Sequence, residues 1–271
     1  MMKESEFNPF IPLPAVESWN GRQEFVLQKC QNKRVLHLGC VDTGLTTARF
    51  QKSELMHQKL AAIATDLWGF DINAEGIHFL QTHGFDQLVV GDVCMLDQVE
   101  ALQNKEFDVI LATEVVEHLQ NPGLFLQAVQ SVMQPGKTEL IITVPNAYRV
   151  SSLWWMLRNV EHVHPDHNYW FSYHTITTLI LKNRLSISDV FMYTFPSNQF
   201  SWKRARKRIA APPTPTSSDG NKVPQAAPSW RFSYWFSQFK MTPYWLFTSW
   251  LLRKSPFFGD GLIVVCTNPI E

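Results

Sequence analysis

The sequence predicts an α/β fold in which helices cover both faces of a mostly parallel sheet. Short apolar runs alternate with helical patterns from residue 34 to residue 195, and repeated strand–helix–strand units imply a parallel sheet between two layers of helices. A last apolar run, GLIVVCT at residues 261–267, follows a long polar and aromatic stretch. It predicts that the chain leaves the sheet, makes an excursion and returns with one more strand.

Six strands are expected before that last run. They are Arg34–Leu38, Leu67–Ile72, Gln87–Val90, Phe107–Ala112, Glu139–Val144 and Leu185–Phe195. Two stretches between them keep apolar residues at helical spacing. These are Met56, Leu60, Ile63, Ala64 and Leu67 in the first, and Phe125, Ala128, Val129, Val132 and Met133 in the second. Pro122 suits a first helical turn, and Gly84 and Gly136 stand where helices are expected to end.

The composition divides the chain into a core and an insertion. Residues 1–195 are expected to form the cofactor-binding α/β core, residues 196–258 an insertion, and residues 259–271 the strand that returns to the core sheet. Within the insertion, the proline-rich residues 211–229 contain little to bury and are typical of a disordered linker.

An aromatic-rich segment from Trp230 to Phe258 follows the linker. Thr242 and Pro243 suit the start of a helix that runs to about Lys254. Aromatic rings next to the basic run KRARKR at residues 203–208 are typical of helices at a membrane surface. The alternative is a lid of helices over the active site, and both interpretations stay open.

The composition is that of an ordinary soluble protein. The chain has 271 residues and a formal net charge of zero, which does not favour a nucleic acid as partner. Its four scattered cysteines form no CxxC pair and favour a reducing cytoplasm. We see neither a signal peptide nor an apolar run long enough to span a membrane. The expected location is the cytoplasm, with the membrane surface as an option.

Polar residues and a glycine follow the first three predicted strands. Gly39 ends the first strand, Asp71 the second, and Asp92 follows the third. A glycine turn lets backbone amides approach a ligand, because no Cβ intrudes. Carboxylates can accept both hydroxyls of a ribose or the amino group of adenine. Because ligands of such sheets bind at the carboxyl ends of the strands, the pattern predicts an adenosine site.

Two common adenosine-binding patterns are absent. A dinucleotide site needs G-x-G-x-x-G with an acid about 20 residues further on, whereas the loop here is GCVDTG and the acid lies 32 residues beyond Gly39. A P-loop needs a lysine after its second glycine, and Leu45 stands there. The sequence therefore disfavours both a nicotinamide dinucleotide and a triphosphate.

The order of four segments resembles the class I S-adenosylmethionine-dependent methyltransferases. The segments are VLHLGC with a later glycine, GFDI, GDV and FDVILATEVVEHLQNP. The last of these, together with VPNAYR and HPDHNYWFSYHTI, is similar to the branch that contains the ubiquinone-biosynthesis O-methyltransferases. The resemblance covers about residues 30–195 and the final strand. It implies a Rossmann-like sheet of seven strands, mostly parallel, with a final antiparallel strand.

The resemblance also implies roles for six residues around S-adenosylmethionine. Gly39 and Cys40 would line the methionine moiety, Asp71 would hold the ribose, Asp92 and Val93 the adenine, and Thr113 would lie beside the sulfonium. In this family the glycine loop usually reads G-x-G-x-G. Here Val41 and Asp42 fill its middle, so the loop must take a different path.

The segment TEVVEHL places Glu114, Glu117 and His118 at i, i+3 and i+4. On a helix these three side chains would share one face, and two carboxylates with an imidazole could bind a divalent cation. The matching E-x-x-E-H of ubiquinone-biosynthesis O-methyltransferases is associated with a metal. The alternative is that the carboxylate and the imidazole organise the loop by hydrogen bonds.

Three histidines lie close together in VEHVHPDHNYW. Neutral imidazole can take the proton of a hydroxyl nucleophile near pH 7, so His164 and His167 are the candidate catalytic bases, ahead of His162. The alternative is a surface loop in which a histidine caps a helix. A zinc site built from the three is disfavoured, because no further ligand pattern accompanies them.

The sequence thus predicts methyl transfer from S-adenosylmethionine to a hydroxyl of a small-molecule, glycan or lipid-linked acceptor. The alternatives are N- or C-methylation, a binding module of the same fold without turnover, and a nicotinamide-dependent oxidoreductase.

Overall fold

The computed structural model describes residues 10–195, 244 and 246–270. These residues form one sheet of eight strands in the order β1-β7-β8-β6-β5-β2-β3-β4. The strands are β1 (Ser18–Trp19), β2 (Arg34–Leu38), β3 (Asp66–Asp71), β4 (Leu88–Val90), β5 (Val109–Thr113), β6 (Glu139–Pro145), β7 (Ser186–Tyr193) and β8 (Gly261–Thr267). Strand β8 runs antiparallel to both of its neighbours, and all other neighbours pair in parallel.

Seven helices connect and cover the strands. They are α1 (Arg22–Cys30), α2 (Thr46–Gln51), α3 (Met56–Ala61), α4 (Ala74–Thr82), α5 (Pro122–Gln130), α6 (Val150–Met156) and α7 (Tyr173–Lys182). Short 3-10 turns lie at Val93–Gln98, Glu100–Leu102, Val116–His118 and Pro256–Phe258. Residues 246–254 form a further helical stretch. No helix among the residues described is long and apolar enough to cross a membrane.

The strand side chains divide between two apolar layers, one on each face of the sheet. The layer against α5 and α7 contains Leu36, Leu38, Ile110, Ala112, Ile142, Phe125 and Ile176. The layer against α1 and α3 contains Val35, Val109, Leu111, Ile141, Phe25 and Leu60. Neighbouring residues of one strand thus point to opposite layers, as the two-residue repeat of a strand requires. Helices cover both faces of the sheet, as predicted.

Local signals account for where the principal helices begin. The Asn121 side chain accepts a hydrogen bond from the backbone of Leu124 at 3.2 Å and precedes Pro122, so α5 begins with a capped first turn. The Asn73 side chain caps α4 in the same way, through the Gly76 amide at 2.9 Å. Helix α3 ends at Ala61, so Leu67 of the predicted helical pattern belongs to β3 instead.

The predicted count of seven strands was wrong by one. The first and last predicted strands have the bounds that the sequence indicated, and the other five agree within two residues. The additional strand, β1, has two residues and pairs with the outer edge of β7. Two residues contain no periodic pattern from which a strand could be predicted. Of the predicted insertion, residues 196–243 and 245 lie outside the described part of the chain, including the linker at 211–229.

Candidate functional site

Four strand ends bring the predicted cofactor residues to one edge of the sheet. Leu38 of β2 pairs with Ala112 of β5, so the next residues, Gly39 and Thr113, are neighbours where the two strands end. On the other side of β2, Asp71 ends β3. The strand order reverses between β2 and β5, and ligands of open α/β sheets bind at such a switch point.

The Asp71 carboxylate is buried and fixed by the backbone around it. One oxygen accepts a hydrogen bond from the Val41 amide at 2.9 Å, and the other accepts one from the Asn73 amide at 2.9 Å. Burial raises the pKa of this carboxyl above its ordinary value, and those two amides oppose the shift. A carboxylate oxygen has two acceptor positions. Each oxygen therefore keeps one for a ligand, which suits two neighbouring hydroxyls.

The other adenosine-side residues follow β4. The Gly91 amide donates to the Asp71 carbonyl at 3.0 Å, so the chain turns beside the ribose candidate. The Asp92 carboxylate is exposed and accepts a hydrogen bond from the Cys94 amide at 2.9 Å, while the Val93 side chain is buried. The Asp92 carboxylate thus has acceptor positions left for an amino group.

The glycine loop approaches the end of β5 closely. Gly39 has a φ of 69°, and a Cβ built on it would lie 2.5 Å from Cγ2 of Val115. The amides of Gly39 and Cys40 both point at the Phe70 carbonyl, at 2.8 and 3.3 Å. Gly39 is therefore required both for its left-handed backbone and for the space that a side chain would fill.

Gly39→Ala is expected to weaken cofactor binding and to destabilise the fold. The left-handed backbone costs a residue with a Cβ about 1–2 kcal/mol, and the contact with Val115 adds about 1–3 kcal/mol of overpacking. Gly44→Ala is the matched control, because Gly44 has a φ of 75° and nothing within 4 Å of its Cβ position. Urea midpoints and calorimetry with S-adenosylhomocysteine measure both effects. Equal losses in the two variants would contradict the close approach.

The predicted helical face of TEVVEHL is absent. Val116–His118 is a single 3-10 turn, and Glu114 precedes it with a left-handed φ of 56°. The spacing argument that grouped Glu114, Glu117 and His118 therefore fails, because it required a helix. A left-handed residue with a side chain is uncommon outside glycine and asparagine, and such strain concentrates at functional sites.

Glu114 belongs to a network beneath the end of β5. One oxygen of its carboxylate accepts hydrogen bonds from the hydroxyls of Thr143 at 3.0 Å and Tyr193 at 3.1 Å. The other oxygen lies 3.9 Å from a guanidinium nitrogen of Arg22. That guanidinium also lies over the rings of Tyr193 and Phe195, at 5.8 and 5.6 Å from their centroids.

Glu117 is the group most in need of a partner. Its side chain is 0% exposed, and neither carboxylate oxygen has a hydrogen-bond partner. Burial, followed by the neighbouring Glu114 carboxylate, raises the pKa of Glu117 to about 9. A buried polar group without a partner is unfavourable. Because one oxygen lies 4.0 Å from Nε2 of His167, the carboxyl group lies beside the histidines.

Three imidazoles converge next to Glu117. The ring of His118 lies 4.6 Å from that of His167 and 5.6 Å from that of His164, and the last two are 5.2 Å apart. Burial and the neighbouring imidazoles lower the pKa of His167 below its ordinary value. His162 is not part of this cluster, since its ring contacts Trp155 instead. The grouping joins two motifs that are about 50 residues apart in sequence, which the sequence alone did not predict.

These imidazoles have the chemistry of a metal site. One ligand atom from each of His118, His164 and His167 can be chosen such that all three lie within 4.8 Å of one another, and imidazole nitrogen suits zinc and related divalent ions. The unpartnered Glu117 carboxylate supplies an oxygen beside them. The hydroxyls and the guanidinium that contact the Glu114 carboxylate already occupy it.

Sequence reasoning missed two residues at this edge, Arg22 and Tyr193. Arg22 is the first residue of α1, and Tyr193 is the last of β7, so neither stands in a recognised motif or after a central strand. Tyr193 was interpreted only as part of an apolar strand. Strand pairing of β7 with β8 brings its hydroxyl to Glu114, and no local pattern in the sequence reports that pairing.

Comparison with known proteins places this geometry among methyltransferases. A family model described as a methyltransferase domain matches residues 20–184. The mitochondrial ubiquinone biosynthesis O-methyltransferase of Rattus norvegicus is 32% identical over 95 residues, which cover 33% of this chain and 28% of the relative. The ubiquinone biosynthesis O-methyltransferase of Bartonella tribocorum is 22% identical over 192 residues, which cover 68% of this chain and 73% of the relative.

Solved structures agree with the fold. A methyltransferase of Haloferax volcanii, in complex with a methyltransferase activator, matches with a TM-score of 0.50 and 13% identity, over 91% of this chain and 88% of that chain. An identity this low shows the fold alone. Of three curated relatives that match, this chain spans between 26% and 49% of the length.

Proposed function

The chain belongs to the methyltransferase-domain family, and on that premise we propose that it is an S-adenosylmethionine-dependent methyltransferase acting on a hydroxyl oxygen. The observation that carries the proposal is the Asp71 carboxylate, which is held by two backbone amides and keeps one acceptor position on each oxygen. Vicinal hydroxyls of a ribose fit that pair of positions.

The remaining parts of the cofactor follow along the edge of the sheet. Asp92 and the backbone at Val93 would take the adenine, with the exposed side chain of Ile72 against its ring. Gly39, Cys40 and Thr113 would lie along the methionine part. The amino-acid end of the cofactor carries a carboxylate, and a guanidinium is the natural partner for that group. Arg22 is the cation that we infer for it.

The acceptor would lie beyond the sulfonium, at the imidazoles. Methyl transfer from a sulfonium is an in-line displacement, so alignment of the acceptor oxygen with the methyl carbon is the main task of the protein and is worth about 7–11 kcal/mol. The hydroxyl must also lose its proton. A neutral imidazole of His164 or His167 would accept it, which contributes about 10²–10⁴-fold. The lowered pKa of His167 keeps that ring neutral near pH 7.

A divalent cation is the second way in which this site could activate a hydroxyl. His118, His164 and His167 would hold it, with Glu117 alongside. Our original set of Glu114, Glu117 and His118 remains a hypothesis, and the hydrogen bonds of Glu114 count against its carboxylate. When bound, such an ion lowers the pKa of a hydroxyl that contacts it.

The surface around the acceptor side is apolar. Exposed apolar side chains cluster on α6 and on the helical stretch at 246–254, which Trp154 and Tyr244 join with ring centroids 5.3 Å apart. They are Leu153, Trp155, Met156, Leu157, Leu246, Phe247 and Trp250. An apolar or lipid-linked acceptor, met at the cytoplasmic face of a membrane, is the substrate class that this surface favours.

The proposal is tested by calorimetry with S-adenosylhomocysteine, followed by a radiolabelled methyl-transfer screen over phenols, catechols, glycans and prenylated phenols, each with and without Zn²⁺ or Mg²⁺. We expect micromolar binding of the cofactor product and label on oxygen. Label on nitrogen or carbon would favour the alternative acceptors. Cofactor binding without any transfer would favour a binding module, and binding of NADH instead would overturn the proposal.

A further inference from the structure

The loop that carries His164 and His167 has little regular structure. It spans residues 157–172 between α6 and α7 and is called the histidine loop below. Its single regular contact is an isolated bridge from Phe171 to Asn146. The positions of its histidines therefore depend on side-chain contacts with the rest of the fold.

The C-terminal half of the histidine loop is attached to the 3-10 turn after β5. The amides of Asn168 and Tyr169 both donate to the carbonyl of Glu117, at 2.8 and 3.2 Å. The Asn168 side chain donates to the carbonyl of His118 at 2.7 Å. The His118 ring contacts the Asp166 carboxylate at 3.1 Å. These bonds align one end of the loop with the imidazole of His118.

The N-terminal half is held by one arginine. Nη2 of Arg149 donates to the carbonyl of His162 at 2.7 Å. Among the described residues, this is the hydrogen bond that joins residues 161–165 to an element outside the loop. Nε of Arg149 donates to the Ser152 hydroxyl at 2.9 Å, which fixes the guanidinium on the first turn of α6.

The same guanidinium also reaches the other end of the loop. Its central carbon lies 5.0 Å from the ring centroid of Trp170. Arg149 thus contacts residues 162 and 170, which flank His164 and His167 in the sequence. No carboxylate among the described residues forms an ion pair with it. A planar fork can donate in two directions and stack at once, which a lysine ammonium cannot do.

We propose that Arg149 is a positioning residue of the acceptor site, whose guanidinium holds the histidine loop so that His164 and His167 face His118. The inference rests on the proposed function only in that it takes these imidazoles as the acceptor side. Arg149 is assigned no contact with cofactor or acceptor.

The test compares Arg149→Lys and Arg149→Met with Arg158→Lys in the full chain. Arg158 is the matched control, because it also stacks on a tryptophan of this region, Trp154 at 4.0 Å, but its guanidinium donates only within its own turn. The readouts are the nuclear Overhauser contact between the rings of His118 and His167 and the exchange rates of the Asn168 and Tyr169 amides. Urea midpoints and the affinity for S-adenosylhomocysteine are measured in parallel.

In both Arg149 variants we expect loss of the ring contact and amide exchange at least about tenfold faster, because the loop opens locally. Affinity for S-adenosylhomocysteine should stay within about twofold, and Arg158→Lys should change neither loop readout. The inference is overturned if Arg149→Lys retains the ring contact and slow exchange, or if Arg158→Lys loses them equally. Should Arg149→Met not fold, Arg149→Lys carries the test. Weak cofactor binding by the unmodified chain would instead count against the proposed function.

Discussion

Asp71→Asn is expected to lose at least about 100-fold in affinity for S-adenosylhomocysteine. Hydrogen bonds to a charged group are worth about 1.5–3 kcal/mol each, and two such bonds to ribose hydroxyls would correspond to about 10²–10⁴-fold. The amide keeps one acceptor oxygen but presents two donors where the carboxylate had acceptors. It also places a donor against the amide of Val41 or Asn73, both of which now donate to this side chain.

Calorimetry measures the affinity, and urea unfolding separates loss of binding from loss of fold. Asp66→Asn is the matched control, since Asp66 begins the same strand that Asp71 ends and lies at the opposite edge of the sheet. We expect its affinity to be unchanged. An Asp71→Asn protein that binds within about threefold of the unmodified chain, with an unchanged urea midpoint, would refute the placement of the ribose.

Acid is expected to destabilise the protein steeply below about pH 6.5, through two buried histidines. The Nδ1 atoms of His37 and His57 lie 3.3 Å apart in the core. Burial lowers the pKa of His37 to about 4, and burial followed by the charge of His37 lowers that of His57 to about 3. Below about pH 6.5 the unfolded chain takes up protons that the folded chain refuses, so stability falls as the pH falls. Each such proton contributes about 1.4 kcal/mol per pH unit.

Glu117 opposes this trend over part of the range. Its pKa is raised by burial to about 9, so between about pH 4.5 and 9 the folded state holds one proton more than the unfolded state. Two histidines against one carboxyl still leave a net loss of stability towards acid. The measurement is the urea midpoint between pH 7.5 and 4.5.

The double variant His37→Leu/His57→Leu removes both imidazoles, so that neither is left without its partner. We expect a pH slope reduced by about two protons. His78→Gln removes an exposed histidine and should leave the slope as it was. A slope in the double variant equal to that of the unmodified chain would show that the pair is not the origin of acid sensitivity.

The residues at the strand ends could be predicted because they are encoded locally. Gly39, Asp71 and Thr113 each follow an apolar run of five or six residues, and the chemistry of a parallel sheet gathers such ends at one edge. The match to the methyltransferase-domain family confirms the resemblance that rested on these segments. Strands β2 and β8 were predicted to the residue, since each is a continuous buried run between polar neighbours.

The acceptor side could not be predicted in the same way. The spacing in TEVVEHL is as compatible with a helix as with the observed turn, and the left-handed backbone of Glu114 has no signal in the sequence. Likewise, His118 meets His167 only because hydrogen bonds to the carbonyls of Glu117 and His118 attach the histidine loop there. Contacts between segments that are far apart in the chain depend on tertiary packing, which local patterns do not report.

The position of β8 bears on how the protein is made. Residues 261–267 form this strand, yet it lies inside the sheet, between β6 and β7. A ribosome must therefore synthesise the whole stretch from residue 196 to residue 260 before β6 and β7 can be joined. Until then each of them presents an unpaired edge, which can recruit strands from other chains. Nascent or truncated chains that lack β8 should consequently depend on chaperones, and the sheet should close only after translation has passed residue 267.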